Sequence, residues 1–187
     1  PGSVWAMLGI AVAVGIVVGL LISIFLVAPL QVGCYRWYIL NRTSNPPMGE
    51  LLNSFRNGYF NTAKIMFCKG LYTTLWSLLF IIPGIIKAYE YSMIPYLLAE
   101  NPNMSKQEAF AISKELMDGN KFNAFVLDLS FILWNFVGAL ALGLPGVFFV
   151  NPYVQLTNVE LYVKLCQIRA ERHNSTYNQD NNQNFNQ

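Results

Sequence analysis

The chain has 187 residues, of which 54% are hydrophobic and 12% charged, and its formal net charge is +2. Average soluble domains carry roughly a quarter charged residues, so the balance points to a lipid solvent. The small net charge, with no stripe of Lys and Arg interleaved with aromatics, excludes a nucleic-acid-binding footprint. Cys34, Cys68 and Cys166 stand far apart, which gives neither a metal-ligand spacing nor a disulfide framework; they read as small apolar packing residues.

In chain order, the first element is an apolar run from Val4 to Leu30 without one charged side chain. A spanning helix needs only about 20 such residues, so this run predicts a membrane segment. A signal peptide has a shorter apolar region preceded by basic residues, which are absent here. The sequence opens at Pro1 rather than Met and reads as a fragment or a processed form. Pro29 ends the run either as a hairpin tip or as a kink in one long helix.

A short amphipathic segment with Leu51, Leu52 and Phe55 follows and stops at Gly58. A second apolar stretch, Gly70 to Ile86, contains Pro83-Gly84, a strong turn signal read as a hairpin tip. The return segment to Glu100 is bent by Pro95 and is slightly short for a full crossing. Ser105-Lys106-Gln107-Glu108 is a capping box that starts a second surface helix, whose apolar face carries Ile112, Leu116 and Met117 before Gly119. The third apolar stretch, Phe122 to Val150, is interrupted by Asp128 and holds a second tip signal at Pro145-Gly146.

These pieces repeat. Asn57-Gly58 precedes Pro83-Gly84 by the distance, within one residue, at which Asp118-Gly119 precedes Pro145-Gly146, and Tyr91 and Tyr153 follow the two prolines at equal spacing. The predicted fold is therefore all-α: a polytopic helical membrane protein of three hairpins, about six membrane segments, or five if Pro29 is a kink. Short amphipathic interfacial helices and an internal repeat, near 48–100 and 109–163, complete a membrane domain over 1–172. From Asn174 to Gln187, 9 of 14 residues are Asn or Gln, so 173–187 is expected to be a disordered tail. In this hairpin arrangement Arg42, Arg56, Lys64, Lys106, Lys114, Lys121, Lys164, Arg169 and Arg172 share one side, with little beyond Lys87 opposite, and the positive-inside rule makes the richer side and the C-terminus cytoplasmic.

Ionisable groups inside membrane segments are expensive and tend to pair in the bundle. Lys87 and Glu90 are spaced to form an ion pair; Asp128 is expected to pair with Lys64 or Lys69, with a proton relay as the sharper alternative; Arg36, Glu160, Gln155 and Asn158 suit interhelical hydrogen bonds. Asn151-Pro152-Tyr153 breaks the helix and could free carbonyls for coordination. Together Lys87, Glu90, Asp128 and Asn151 form the candidate polar site. No nucleophile elbow, zinc-protease motif or phosphate loop is present, and the single histidine, His173, borders the tail, so neither an enzyme, a metal nor a cofactor is expected.

The run from Leu78 through Pro83-Gly84 to Tyr89, then Tyr91-Ser92-Met93, Pro95-Tyr96, Ala99-Glu100 and Asn151-Pro152-Tyr153, resembles an uncharacterised bacterial integral-membrane family, domain of unknown function 975. Ser113, Glu115-Leu116-Met117, Gly119-Asn120 and Leu129-Ser130-Phe131 extend the resemblance over roughly 48–163. It implies a multi-pass protein of the bacterial cytoplasmic membrane and no transferable activity. The leading functional expectation is a scaffold or accessory component touching lipids, a protein partner or a second copy through Leu51, Phe55, Ile112 and Leu116; the competing one is a small carrier for a lipid or solute.

Overall fold

The computed structural model describes residues 2–140 and 151–185, with side chains at all of these except 2–4, 6, 134–140, 151, 152, 176 and 178–185. Among the described residues the secondary structure is helical, with no strand. The predicted tip at Pro145 and Gly146 lies outside them.

The chain begins as one long helical rod: α1 (Gly2–Ile22), a π-helical turn (Ser23–Val27) and α2 (Ala28–Leu40). Pro29 is therefore no hairpin tip, and the first of the three expected hairpins is a single helix. Proline has no amide hydrogen to give to the carbonyl four residues back, here that of Phe25, and its ring crowds that carbonyl. The π turn absorbs the misfit, with the Ala28 amide reaching back to Ser23. The released Phe25 carbonyl accepts a hydrogen bond from the Tyr59 hydroxyl at 2.7 Å, so the unpaired group is satisfied from the neighbouring helix.

A 3-10 turn (Met48–Leu52) and α3 (Asn53–Arg56) lead to α4 (Tyr59–Leu79). The chain reverses at Phe80, which is extended, and returns antiparallel as α5 (Ile81–Glu90). The Pro83-Gly84 pair is thus not the tip itself. Pro83 stands in the first turn of α5, where a missing amide hydrogen leaves no bond unmade. Gly84 lets α5 press against α4, because a Cβ there would lie 2.6 Å from the Ser77 Cα. After a tight turn comes α6 (Ile94–Glu100), buried from Ile94 through Ala99, with Pro95 in its first turn. Ser105 then accepts a hydrogen bond from the Glu108 amide at 3.2 Å and caps α7 (Lys106–Met117), which is the serine half of the expected capping box. The chain continues as α8 (Lys121–Leu140) and α9 (Asn151–Phe185). The backbone of α9 carries helix into the Asn- and Gln-rich stretch whose composition argues for disorder.

Two glycines mark equivalent joints. Gly58, between α3 and α4, and Gly119, between α7 and α8, adopt φ of 66° and 75°, the left-handed conformation that ends helices and that side chains resist. At both joints the chain therefore turns from a short helix into a long one in the same way.

The core lies at one end of the long helices. Met93, Tyr96, Leu97, Leu116, Met117, Val159, Tyr162 and Leu165 form one cluster; Val32, Ile65, Ile94, Leu98 and Ala109 form another beside it. Tyr96 is the central plank, 4.3 Å from Tyr35 on α2 and 5.3 Å from Tyr162 on α9, ring centre to ring centre. Beyond this base the helices present apolar side chains outward. Leu78 is 84% exposed, and Leu71, Leu75, Phe80, Ile81, Ile82, Leu129 and Ile132 are exposed with it. Met7–Leu40 is long and apolar enough to cross a membrane and has its apolar window unburied.

Candidate functional site

The turn after α5 fixes Glu90 where α5 meets α7 and α8. Its carboxylate is almost fully enclosed, at 2% exposed for the residue, yet three ammonium groups gather on it: Lys87 at 2.8 Å, Lys121 at 3.6 Å and Lys114 at 4.0 Å. Its backbone carbonyl accepts the Ser113 hydroxyl at 2.8 Å, which pins α7 to the same point. The predicted Lys87–Glu90 pair is present, one helical turn apart. Lys114 and Lys121 were not foreseen in it, and their presence corrects the topology: Lys87 shares a side with them instead of standing opposite. The short return of α5, about 15 Å at 1.5 Å per residue, is what leaves Lys87 within reach. The Lys87 ammonium also lies over the rings of Trp76 and Tyr91, at 5.6 and 5.7 Å, so it is held from three directions.

One residue earlier on α5, Tyr89 donates its hydroxyl hydrogen to Asp128 Oδ2 at 2.8 Å. Asp128 therefore finds a neutral donor rather than the expected lysine. Lys69 does come close: with Asp128 it lines a cavity of about 320 Å³ walled by Tyr35, Thr73, Tyr89, Ser92, Tyr96 and Asn158. Among the described residues neither Lys69 nor Asp128 has an ion-pair partner. A cation and an anion thus face one small cavity whose remaining wall mixes phenol, hydroxyl and amide groups with the apolar Ala88, Met93, Pro95, Ala124 and Leu161, and each keeps hydrogen-bonding capacity unused.

The candidate polar set divides accordingly. Lys87 and Glu90 belong to the ion-pair cluster, Asp128 to the cavity, and the side chain of Asn151 lies outside the described residues. Lys69 is brought near Asp128 as the sequence led one to expect, though without an ion pair between them, whereas Tyr35 and Tyr96 carried no sequence signal as cavity walls. Arg36 bonds Glu50 at 2.8 Å and the Ala99 carbonyl at 2.9 Å, while Glu160 takes a paired bond from Arg42 at 2.6 and 2.9 Å. Both therefore tie helices together, as expected of polar groups in a bundle.

The four residues expected to present an outer contact face are placed inward or half-buried. Leu116 is 2% exposed within the core, Ile112 packs against that core, and Leu51 and Phe55 are half-buried, with Phe55 stacked 5.7 Å from Tyr59. On the outer face of α7, Glu115 bonds Arg169 and His173 on α9, both at 2.9 Å. Burial is the largest single influence on that carboxyl and pushes its pKa up, but the two hydrogen-bonding partners together outweigh it and hold Glu115 below its ordinary value.

Comparison with known proteins adds one relationship. A family model described as protein of unknown function (DUF975) matches residues 3–169, reaching from α1 well into α9 and beyond the stretch whose motifs first suggested it. No curated protein and no solved structure matches significantly. With most of its length matched, from the rod of α1 to the Glu115-bonding part of α9, the chain belongs to the DUF975 family of proteins of unknown function.

Proposed function

We propose that this chain is a multi-pass membrane protein that binds a small zwitterionic solute inside its helical bundle, as the binding core of a carrier. The observation that carries this reading is the cavity between Lys69 and Asp128. Its volume, about 320 Å³, is at the low end of the range for small-molecule sites. An acidic group on the ligand would meet the Lys69 ammonium, an amino group would meet the Asp128 carboxylate, and the Tyr89 hydroxyl orients the latter. Uncompensated ionisable groups in a bundle that faces lipid are costly, and occupation by a ligand of opposite polarity at each end offsets that cost.

The membrane reading is supported by the apolar, unburied Met7–Leu40 rod and by the exposed apolar ends of α4, α5 and α8. We place the basic base of the molecule, with Lys87 now on the same side as Lys114 and Lys121, at the cytoplasmic face of a bacterial inner membrane. A scaffold acting through Leu51, Phe55, Ile112 and Leu116 is less well supported, since those side chains are engaged within the chain itself.

The test is ligand-dependent thermal stabilisation of the purified protein in nanodiscs, using single amino acids against simple carboxylates and simple amines. Amino acids are expected to stabilise the wild type and to lose that effect in Lys69→Met and in Asp128→Asn, with helical circular dichroism unchanged. Equal response to all three compound classes, or an unchanged response in both variants, would rule out a zwitterion site there.

A further inference from the structure

The Glu90 cluster has more positive charge than its own carboxylate can use. Three ammonium groups face one carboxylate, leaving a surplus of two charges at that point. Only Lys87, at 2.8 Å, is within hydrogen-bonding distance of it; Lys121 at 3.6 Å and Lys114 at 4.0 Å are held by charge and retain their donors. Lys114 is also open, with its side chain 69% exposed. A second anion approaching from outside would find those unused donors already gathered.

What lies beside the cluster narrows the anion. Lys87 stands over Trp76, and Trp76 lines an outward groove on α4 with Tyr72, Leu75, Leu78 and Leu79, about 660 Å³ and almost wholly apolar. Lys106, on α7 with Lys114, closes the near edge of the groove, its ammonium 3.4 Å from the Tyr72 hydroxyl. On the other flank, Phe122 follows Lys121 directly and is 72% exposed. Cationic groups at the boundary of an exposed apolar surface match a molecule with an anionic head and an apolar tail.

We propose that Lys87, Lys114 and Lys121, gathered on Glu90, bind the phosphate of an acidic membrane phospholipid whose acyl chain lies along Tyr72, Leu75, Trp76, Leu78 and Leu79. Glu90 sets the spacing of the ammonium groups and prevents their mutual repulsion, and the lipid takes the donors that Glu90 leaves free. The site rests on the membrane placement proposed above but not on the Lys69–Asp128 cavity, whose lining includes none of Lys87, Glu90, Lys114 and Lys121.

The experiment is native mass spectrometry of the delipidated, detergent-purified protein after exchange into nanodiscs of phosphatidylcholine containing phosphatidylglycerol. Incorporation into the nanodisc is scored first, so a failure of the membrane placement is recognised separately. The wild type is expected to retain phosphatidylglycerol in preference to phosphatidylcholine. Lys114→Gln with Lys121→Gln, which leaves the Lys87–Glu90 pair intact, should reduce that preference by about twenty-five-fold at roughly fivefold per lysine. Lys114→Gln alone, at the exposed position, should reduce it about fivefold and guards against a folding defect in the double variant. The Asp128→Asn variant should keep the preference in full. Equal retention of the two lipids, an unchanged preference in the double variant, or displacement of the lipid by millimolar inorganic phosphate alone would overturn the proposal.

Discussion

Replacing Glu90 with Gln keeps the shape of the side chain and removes the charge on which three lysines converge. Breaking a buried ion pair by neutralising one member costs about 3–5 kcal/mol, because the other member is left buried and uncompensated. Here three cations lose their counter-charge at once, but the side chains of Lys87 and Lys121 remain 25% and 32% exposed, so part of each charge is still screened. The expected loss is therefore near the lower end, about 3 kcal/mol. Lys114→Gln gives the internal scale: its side chain is 69% exposed and its nitrogen stands 4.0 Å from the carboxylate, so its removal should cost no more than about 1 kcal/mol. Lys87→Gln should fall between, since Lys121 and Lys114 still neutralise the carboxylate that it leaves. The assay is unfolding in mixed micelles by increasing SDS fraction, followed by helical circular dichroism in protein stripped of lipid, so that no phospholipid masks the electrostatics. If Glu90→Gln and Lys114→Gln fall within 1 kcal/mol of each other, on the scale of exposed ion pairs, the carboxylate is not the hub that the geometry makes it.

Two further predictions use the same unfolding assay. Both Gly58→Ala and Gly119→Ala force a side chain into the left-handed region, at about 1–2 kcal/mol each. Gly58→Ala should cost measurably more, because its Cβ would also lie 2.6 Å from the Pro102 carbonyl oxygen whereas Gly119 faces open space; equal losses would show that the α3–α4 joint is looser than described. The third concerns pH. Glu115 is held below its ordinary value of 4.5, so the folded state binds this proton more weakly than the unfolded state. Its contribution to stability is present above the unfolded value and is lost as pH falls through the folded one. Between about pH 6 and pH 3 the wild type should lose stability more steeply than Arg169→Gln, which lacks one of the two partners that lower the carboxyl; parallel curves would refute the link.

What the sequence discloses about this molecule depends on how local each cause is. Gly58 and Gly119 were legible because a left-handed joint selects glycine within a single turn, and the Ser105 cap because its partner, Glu108, is three residues away. The Lys87–Glu90 pair was legible for the same reason, at one helical turn. Lys114 and Lys121 join it only because the turn after α5 and the buried α6 swing the end of α5 onto α7 and α8, and no periodicity along the chain encodes that meeting. Pro83-Gly84 misled as to position rather than existence. The reversal is real, but it falls at Phe80, since proline is accommodated in the first turn of the returning helix while Gly84 serves the close contact with Ser77. Pro29 carried no sign of which solution the chain adopts. A proline in an apolar run can end a helix or bend it, and the deciding partner is the Tyr59 hydroxyl, thirty-four residues beyond Phe25, which takes up the Phe25 carbonyl that Pro29 leaves without a donor. The candidate site follows the same division. A lysine and an aspartate in apolar surroundings announced that something polar would be enclosed, yet that Lys69 and Asp128 face one cavity instead of each other depends on Tyr89 reaching Asp128 first, a contact made between α5 and α8.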